Sequence, residues 1–135
     1  VLGYYGDSIV GKRIGVWGAS FKPRTDDIRQ APALAIIDGL LGASARVAVY
    51  DPVAGPKLAD RFGNRVTLAA KMYDCVEGAD GLVIMTEWRE FHYPDFERMA
   101  RTMHERVIFD GRNIYNPKTM AELGFRYFSI GRPSV

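Results

Sequence analysis

The chain has 135 residues, 47% of them hydrophobic and 25% charged, which excludes a largely disordered chain and leaves no room for two domains of ordinary size. The formal net charge of +2 does not favour a dedicated nucleic-acid binder. No apolar run approaches the roughly 20 residues that a membrane-spanning helix needs.

A single cysteine, Cys75, rules out an internal disulfide framework and a cysteine-cluster metal site. His92 and His104 are the only histidines, and their separation matches no zinc-ligand spacing. The first seven residues lack the basic start and apolar core of a signal peptide. The expectation is a protein of the reducing cytoplasm. Of the 18 basic residues 13 are Arg, a side chain that grips carboxylates and phosphates with two prongs and also makes ordinary surface ion pairs.

Residues 1–11 start without Met, carry Tyr4-Tyr5 and break at Gly6-Asp7, which reads as the stump of a preceding helix and a linker, with one domain over 12–135. The apolar run 12–18 ends in glycine and predicts a buried strand. A polar loop over 19–30 follows. Pro32 then opens a helix, where its missing N–H costs nothing. Ala33, Ile36, Ile37, Leu40 and Leu41 fall on one face of that helix, and Gly42 closes it. Residues 46–50 predict a second strand, ended by Asp51-Pro52. Further on come a helix over 56–62, a short strand over 65–68 and a short helix over 72–78. The stretch 80–85 is a strand with almost no polar face, the pattern of a parallel sheet covered on both sides. Pro94 opens another helix, with Phe96, Met99, Ala100 and Met103 on one face. A strand over 106–109, a helix over 117–123 and a strand over 125–130 complete the chain. Strands separated by helices give a Rossmann-like, doubly wound α/β fold: a mainly parallel sheet of five to six strands with helices on both faces.

Ligands of such sheets bind beyond the carboxyl ends of the strands. Three loops fall there. Gly18 to Arg29 holds Lys22, Arg24 and Arg29 just before a helix N-terminus, an arrangement suited to phosphate. It also holds Asp26 and Asp27, which could cap the helix and neutralise the arginines instead. Thr86 to Phe91 places two aromatics among charges, able either to line a cleft or to cover an edge of the core. Asp110-Gly-Arg-Asn113 would project Arg112 over the sheet edge. Lys22, Arg29 and Arg112 could converge on one anion or form separate ion pairs.

The first strand carries Gly15 and Gly18 but not the G-x-G-x-x-G of a dinucleotide site, and Phe21 is bulky where the third glycine belongs. Asp51 mimics the ribose-binding acid of such sites, yet it lies 33 residues after Gly18 (51 minus 18) instead of about 20. Cys75 sits between Asp74 and Glu77, which disfavour a thiolate, so it reads as structural. Neither histidine has a Ser or Cys partner nearby in sequence. The residues therefore show binding chemistry and no reaction chemistry.

The stretch from Gly11 to Leu34, with Phe21-Lys22-Pro23 and Thr25-Asp26-Asp27-Ile28-Arg29, resembles the start of the C-terminal UDP-binding domain of UDP-glucose 6-dehydrogenases. The likeness continues at Val49-Tyr-Asp-Pro52, Glu77-Gly-Ala-Asp80, Thr86-Glu-Trp88, Phe109-Asp-Gly-Arg-Asn113 and Gly124 to Gly131, and so spans almost the whole chain. The resemblance implies a longer enzyme that oxidises the C6 alcohol of UDP-glucose to UDP-glucuronate in two steps with NAD. A cysteine that precedes this domain carries the chemistry in the family, and Cys75 does not match its motif. The chain alone is then expected to bind and not to catalyse. By residue, the resemblance implies that Phe21, Lys22 and Arg112 meet the nucleotide sugar and that Arg29 reaches NAD held mainly by another domain. It implies no metal, and a homo-oligomeric full-length enzyme supplying polysaccharide biosynthesis. Departures are mild, at Ala19-Ser20 and Gln30. Enzymes acting on GDP-mannose or UDP-N-acetyl-hexosamines share much of the pattern. A non-catalytic Rossmann-like binding module is a further alternative. A signal-receiver domain would need acidic residues at the end of the first strand, where Gly18-Ala-Ser stands.

Overall fold

The computed structural model describes residues 5–19, 32–86 and 88–129, without the side chain of Asp7. Its strands are β1 (Arg13–Trp17), β2 (Arg46–Tyr50), β3 (Thr67–Leu68), β4 (Gly81–Ile84), β5 (Val107–Asp110) and β6 (Arg126–Ser129). They form one six-stranded sheet in the order β3-β2-β1-β4-β5-β6, with every neighbouring pair parallel. Parallel neighbours need crossover connections. These are α1 (Pro32–Gly42), α2 (Gly55–Phe62), α3 (Met72–Val76), the pair α4 (Arg89–His92) and α5 (Phe96–Thr102), and α6 (Pro117–Glu122). The doubly wound fold read from the sequence is the fold observed, with six strands.

Helix starts follow local chemistry. Pro32 and Pro117 are first residues of α1 and α6, and Asn116 caps α6 by accepting from the amides of Lys118 and Thr119. Pro94 is not the first residue of its helix. Asp95 intervenes as the cap of α5, accepting from the Arg98 amide at 3.0 Å. The strand expected over 65–68 shortens to Thr67–Leu68, because a 3-10 turn occupies Gly63–Arg65.

Side-chain alternation along the strands divides the interior in two. Ile14, Val16, Val49, Val83 and Phe109 face α1 and α2, where Ile37, Leu40, Leu58 and Phe62 are buried. Tyr5 and Ile9, which flank and close a 3-10 turn at Gly6–Ile9, belong to this same cluster. Trp17, Ala48, Leu82, Ile84, Ile108 and Tyr127 face the other way, toward Cys75 of α3, Phe91 of α4, Met99 of α5 and Met120 of α6.

Helix α3 lies directly against β1 at Gly15. A Cβ on Gly15 would stand 2.7 Å from the carbonyl oxygen of Cys75, so this strand position has no room for a side chain. The Cys75 thiol, fully buried, donates to the Ala48 carbonyl at 3.1 Å. Burial pushes that thiol up to about 12, and its role is packing. At the amino edge of the sheet, Asp80 accepts from the Arg13 amide at 2.9 Å and pairs with Nδ1 of His104, while its carbonyl accepts from the Tyr5 hydroxyl. Burial alone would raise the Asp80 carboxyl. The Arg13 amide and His104 more than offset this and hold it below its ordinary value.

Gly15→Ala should cost about 1–3 kcal/mol in urea unfolding, the range for overpacking a core. Native Cys75 should resist alkylation at pH 8 and react once the chain is unfolded. Because the Asp80 carboxyl is depressed in the fold, its contribution to stability is complete above the unfolded carboxylate pKa and is lost as pH falls through the folded value. His104→Ala should move Asp80 to a higher midpoint in a carboxyl NMR titration, and acid unfolding should begin at higher pH.

Candidate functional site

Strand order reverses between β1 and β4, and open α/β sheets bind ligands at such a point, outside the carboxyl ends of the strands. Gly18 leaves β1 there with φ +88, and a Cβ on it would stand 2.5 Å from the Cβ of buried Thr86, just past β4. A side chain at Gly18 is excluded both by that backbone conformation and by this contact. The loop that follows contains Phe21, Lys22 and Arg29. All three lie outside the described residues, as do Arg24, Asp26 and Asp27.

The loop's departure point is held by Asp51. One oxygen of this carboxylate accepts from the Ala19 amide at 2.9 Å, and the other accepts from Val53 and Ala54 at 3.0 and 2.9 Å. Asp51 is 9% exposed. The residue that mimics a ribose-binding acid in the sequence thus binds backbone, and it staples the exit of β1 to the turn after β2. Beside it, the Tyr50 hydroxyl donates to Glu90 at 2.9 Å. Burial, helped by the Glu90 carboxylate and by Asp51, raises the Tyr50 phenol to about 12.

A second buried carboxylate governs the loop after β5. Asp110 is 2% exposed. Its Oδ1 accepts from the Arg112 amide at 2.8 Å, and its Oδ2 accepts from the Ile114 amide at 2.8 Å and from the Tyr127 hydroxyl. Gly111 allows the turn to close on β4, since a Cβ there would lie 3.1 Å from the Ile84 carbonyl oxygen. Asn113 takes a left-handed conformation, φ 57, which asparagine tolerates better than most residues. The result is an exposed Arg112 on a tightly held turn at the carboxyl edge. Next to this turn, Ile36, Val83, Met85, Phe109, Gly111 and Phe128 line an apolar depression of about 300 Å³.

Of the four expected site residues, Arg112 is therefore placed at the ligand-binding edge, and the other three fall outside the described residues. After β4, Phe91 of α4 is fully buried and stacks on Trp17 at 5.0 Å, so it covers the core edge. Trp88 is half-buried against the same cluster. His104 sits with Asp80 at the opposite, amino edge. No group of three or more His, Cys, Asp or Glu side chains placed to hold a metal ion occurs among the described residues, and no described helix is long and apolar enough to cross a membrane. Sequence reasoning did not single out Asp110 as an organiser of this edge. Its signal was present, an Asp followed at once by Gly, where a short acidic side chain can take the next amides of a turn.

The model of the UDP-glucose/GDP-mannose dehydrogenase family, UDP binding domain, matches residues 15–117. A UDP-glucose 6-dehydrogenase of Pseudomonas aeruginosa is 46% identical over 128 residues, covering 91% of this chain and 28% of the relative. One of Rhizobium meliloti is 44% identical over 133 residues, covering 98% of this chain and 30% of the relative. Among solved structures, a UDP-D-ManNAc dehydrogenase from Pyrococcus horikoshii superposes with a TM-score of 0.75 at 30% identity, over 97% of this chain and 28% of that one. The chain thus spans less than a third of the length of these relatives. It belongs to the UDP-glucose/GDP-mannose dehydrogenase family and carries that family's UDP binding domain.

Proposed function

We propose that this chain is the C-terminal nucleotide-sugar-binding domain of an NAD-dependent UDP-glucose 6-dehydrogenase, a cytoplasmic, homo-oligomeric enzyme that converts UDP-glucose to UDP-glucuronate. In this reading Phe21, Lys22 and Arg112 contact the nucleotide sugar, and Arg29 reaches NAD held chiefly by another domain. The observation that carries the reading is Arg112, exposed at the carboxyl edge on a turn fixed by Asp110, in a chain of this family. A guanidinium there can grip a diphosphate with two charge-assisted hydrogen bonds.

The domain's part is to bind and orient. Its own residues suit a dinucleotide poorly. The glycine fingerprint is absent, Gly18 abuts Thr86, and Asp51 is engaged by backbone amides. NAD supplies the hydride acceptor when bound, and this chain's contribution toward it is Arg29. Cys75, buried with its thiol on a strand carbonyl, is not a nucleophile in this proposal. Neither nucleic acid nor membrane is a partner in this reading.

A second reading assigns the domain to a dehydrogenase of UDP-N-acetyl-hexosamines, and the likeness to the Pyrococcus horikoshii enzyme favours it. GDP-mannose dehydrogenases share the family. A free-standing, non-catalytic binding module is the alternative of another class.

A chemical-shift titration of the chain with UDP, GDP and NAD separately, at millimolar ligand, distinguishes these readings. UDP-selective shifts at Phe21, Lys22 and Arg112 are expected. Arg112→Ala should weaken UDP by about 1.5–3 kcal/mol, roughly ten- to hundredfold, the worth of a hydrogen bond to a charged group. GDP-selective shifts would move the assignment to GDP-mannose enzymes. Shifts with NAD alone, centred on 15–18, would make this a cofactor domain and overturn the proposal.

A further inference from the structure

Resting on the function proposed above, we infer that Asp110 is a positioning residue through which Arg112 acts on the diphosphate. Asp110 ends β5 and is almost wholly buried, so its carboxylate cannot itself meet a ligand in bulk contact. What it does is gather the turn that follows. The amides of Arg112 and Ile114 both point back at it, each at 2.8 Å, on opposite oxygens. The Tyr115 amide lies 3.3 Å from Oδ2, on which the Tyr127 hydroxyl also closes. Between the two gripped amides, Asn113 supplies the left-handed turn, φ 57. The turn is then tied sideways, because the Tyr115 hydroxyl donates to the Phe91 carbonyl. Arg112 is the one basic residue of this wrapped segment, and its Cα is fixed before any ligand arrives. Fixing it in advance removes an ordering cost from binding.

The electron-pair count makes the role specific to a carboxylate. Both oxygens of Asp110 face N–H or O–H donors. Asparagine has one acceptor oxygen and one NH₂ group, so either orientation of its amide sets a donor against a donor. An isosteric change therefore breaks the turn on one side at nearly unchanged side-chain volume.

The test uses the full 135-residue chain with UDP as probe. Asp110→Asn is expected to strip hydrogen-exchange protection from the Arg112 or Ile114 amide and to weaken UDP about tenfold, the scale of one charge-assisted hydrogen bond. Tyr127→Phe keeps the buried ring, removes one donor and should weaken UDP by about threefold. It serves as the folded variant if Asp110→Asn does not fold. The deciding readout is a double-variant cycle. If Asp110 acts through Arg112, adding Asp110→Asn to Arg112→Ala costs no further UDP affinity. A full additive loss in the double variant, or folded Asp110→Asn and Tyr127→Phe chains that bind UDP at wild-type strength, would overturn the inference. Absence of UDP-dependent shifts in the unsubstituted chain would instead overturn the proposed function, and the inference with it.

Discussion

The carboxyl edge of the sheet depends on buried carboxylates that bind backbone. Asp51 and Asp110 end up at strand exits, each nearly out of solvent, and each takes several donors from the turn that follows it. Turns beyond parallel strands leave amides with no ladder partner, and a buried unpaired amide costs as much as a lost hydrogen bond. A carboxylate with two oxygens can collect such amides where no strand is available. The charge is itself stabilised by them, which is why an acid can be tolerated at this depth. The exits of β1, β2 and β5 are thereby tied to the sheet.

The same edge depends on close approach. Gly18 at Thr86 and Gly111 at the Ile84 carbonyl let the exits of β1 and β5 crowd the exit of β4. Deeper in the sheet, Gly15 beneath Cys75 lets α3 settle onto β1 and β2. At Gly15 and Gly18 a Cβ would stand 2.7 and 2.5 Å from its nearest neighbour, so glycine is required by sterics there, and at Gly111 the 3.1 Å approach is tight. The Gly18–Thr86 contact joins the two halves of the sheet at the switch point between β1 and β4. The doubly wound topology is kept, and at its switch point Thr86 stands directly against Gly18.

Much of the fold was legible in the sequence because its signals were strong and local. The apolar run ending at Gly18, the prolines at 32 and 117 and the periodic face of α1 fix elements without tertiary help. The alternation of strands and helices then allows few topologies. Less legible were elements made by packing. Helix α4 has only four residues, too few to show a period, and is set by Phe91 stacking on Trp17. Tyr5 looks in sequence like part of a linker, yet its ring lies 6.1 Å from Phe109 and its hydroxyl reaches the Asp80 carbonyl across 75 residues of chain. The position of Arg112 on the turn after β5 was legible from the strand that ends at Asp110-Gly111. The use of Asp51 for backbone amides was not, because an acid after a strand has the same sequence signature whether it binds a ribose or a turn.

The most direct test of this account is a crystal structure of the chain with UDP. The account predicts the diphosphate at the carboxyl edge between the exits of β1 and β5, with the Arg112 guanidinium on its oxygens and the Asp110 turn unchanged from the ligand-free form. A nucleotide bound at the amino edge near Asp80 and His104, or at the carboxyl edge with Arg112 turned away from it, would contradict the account.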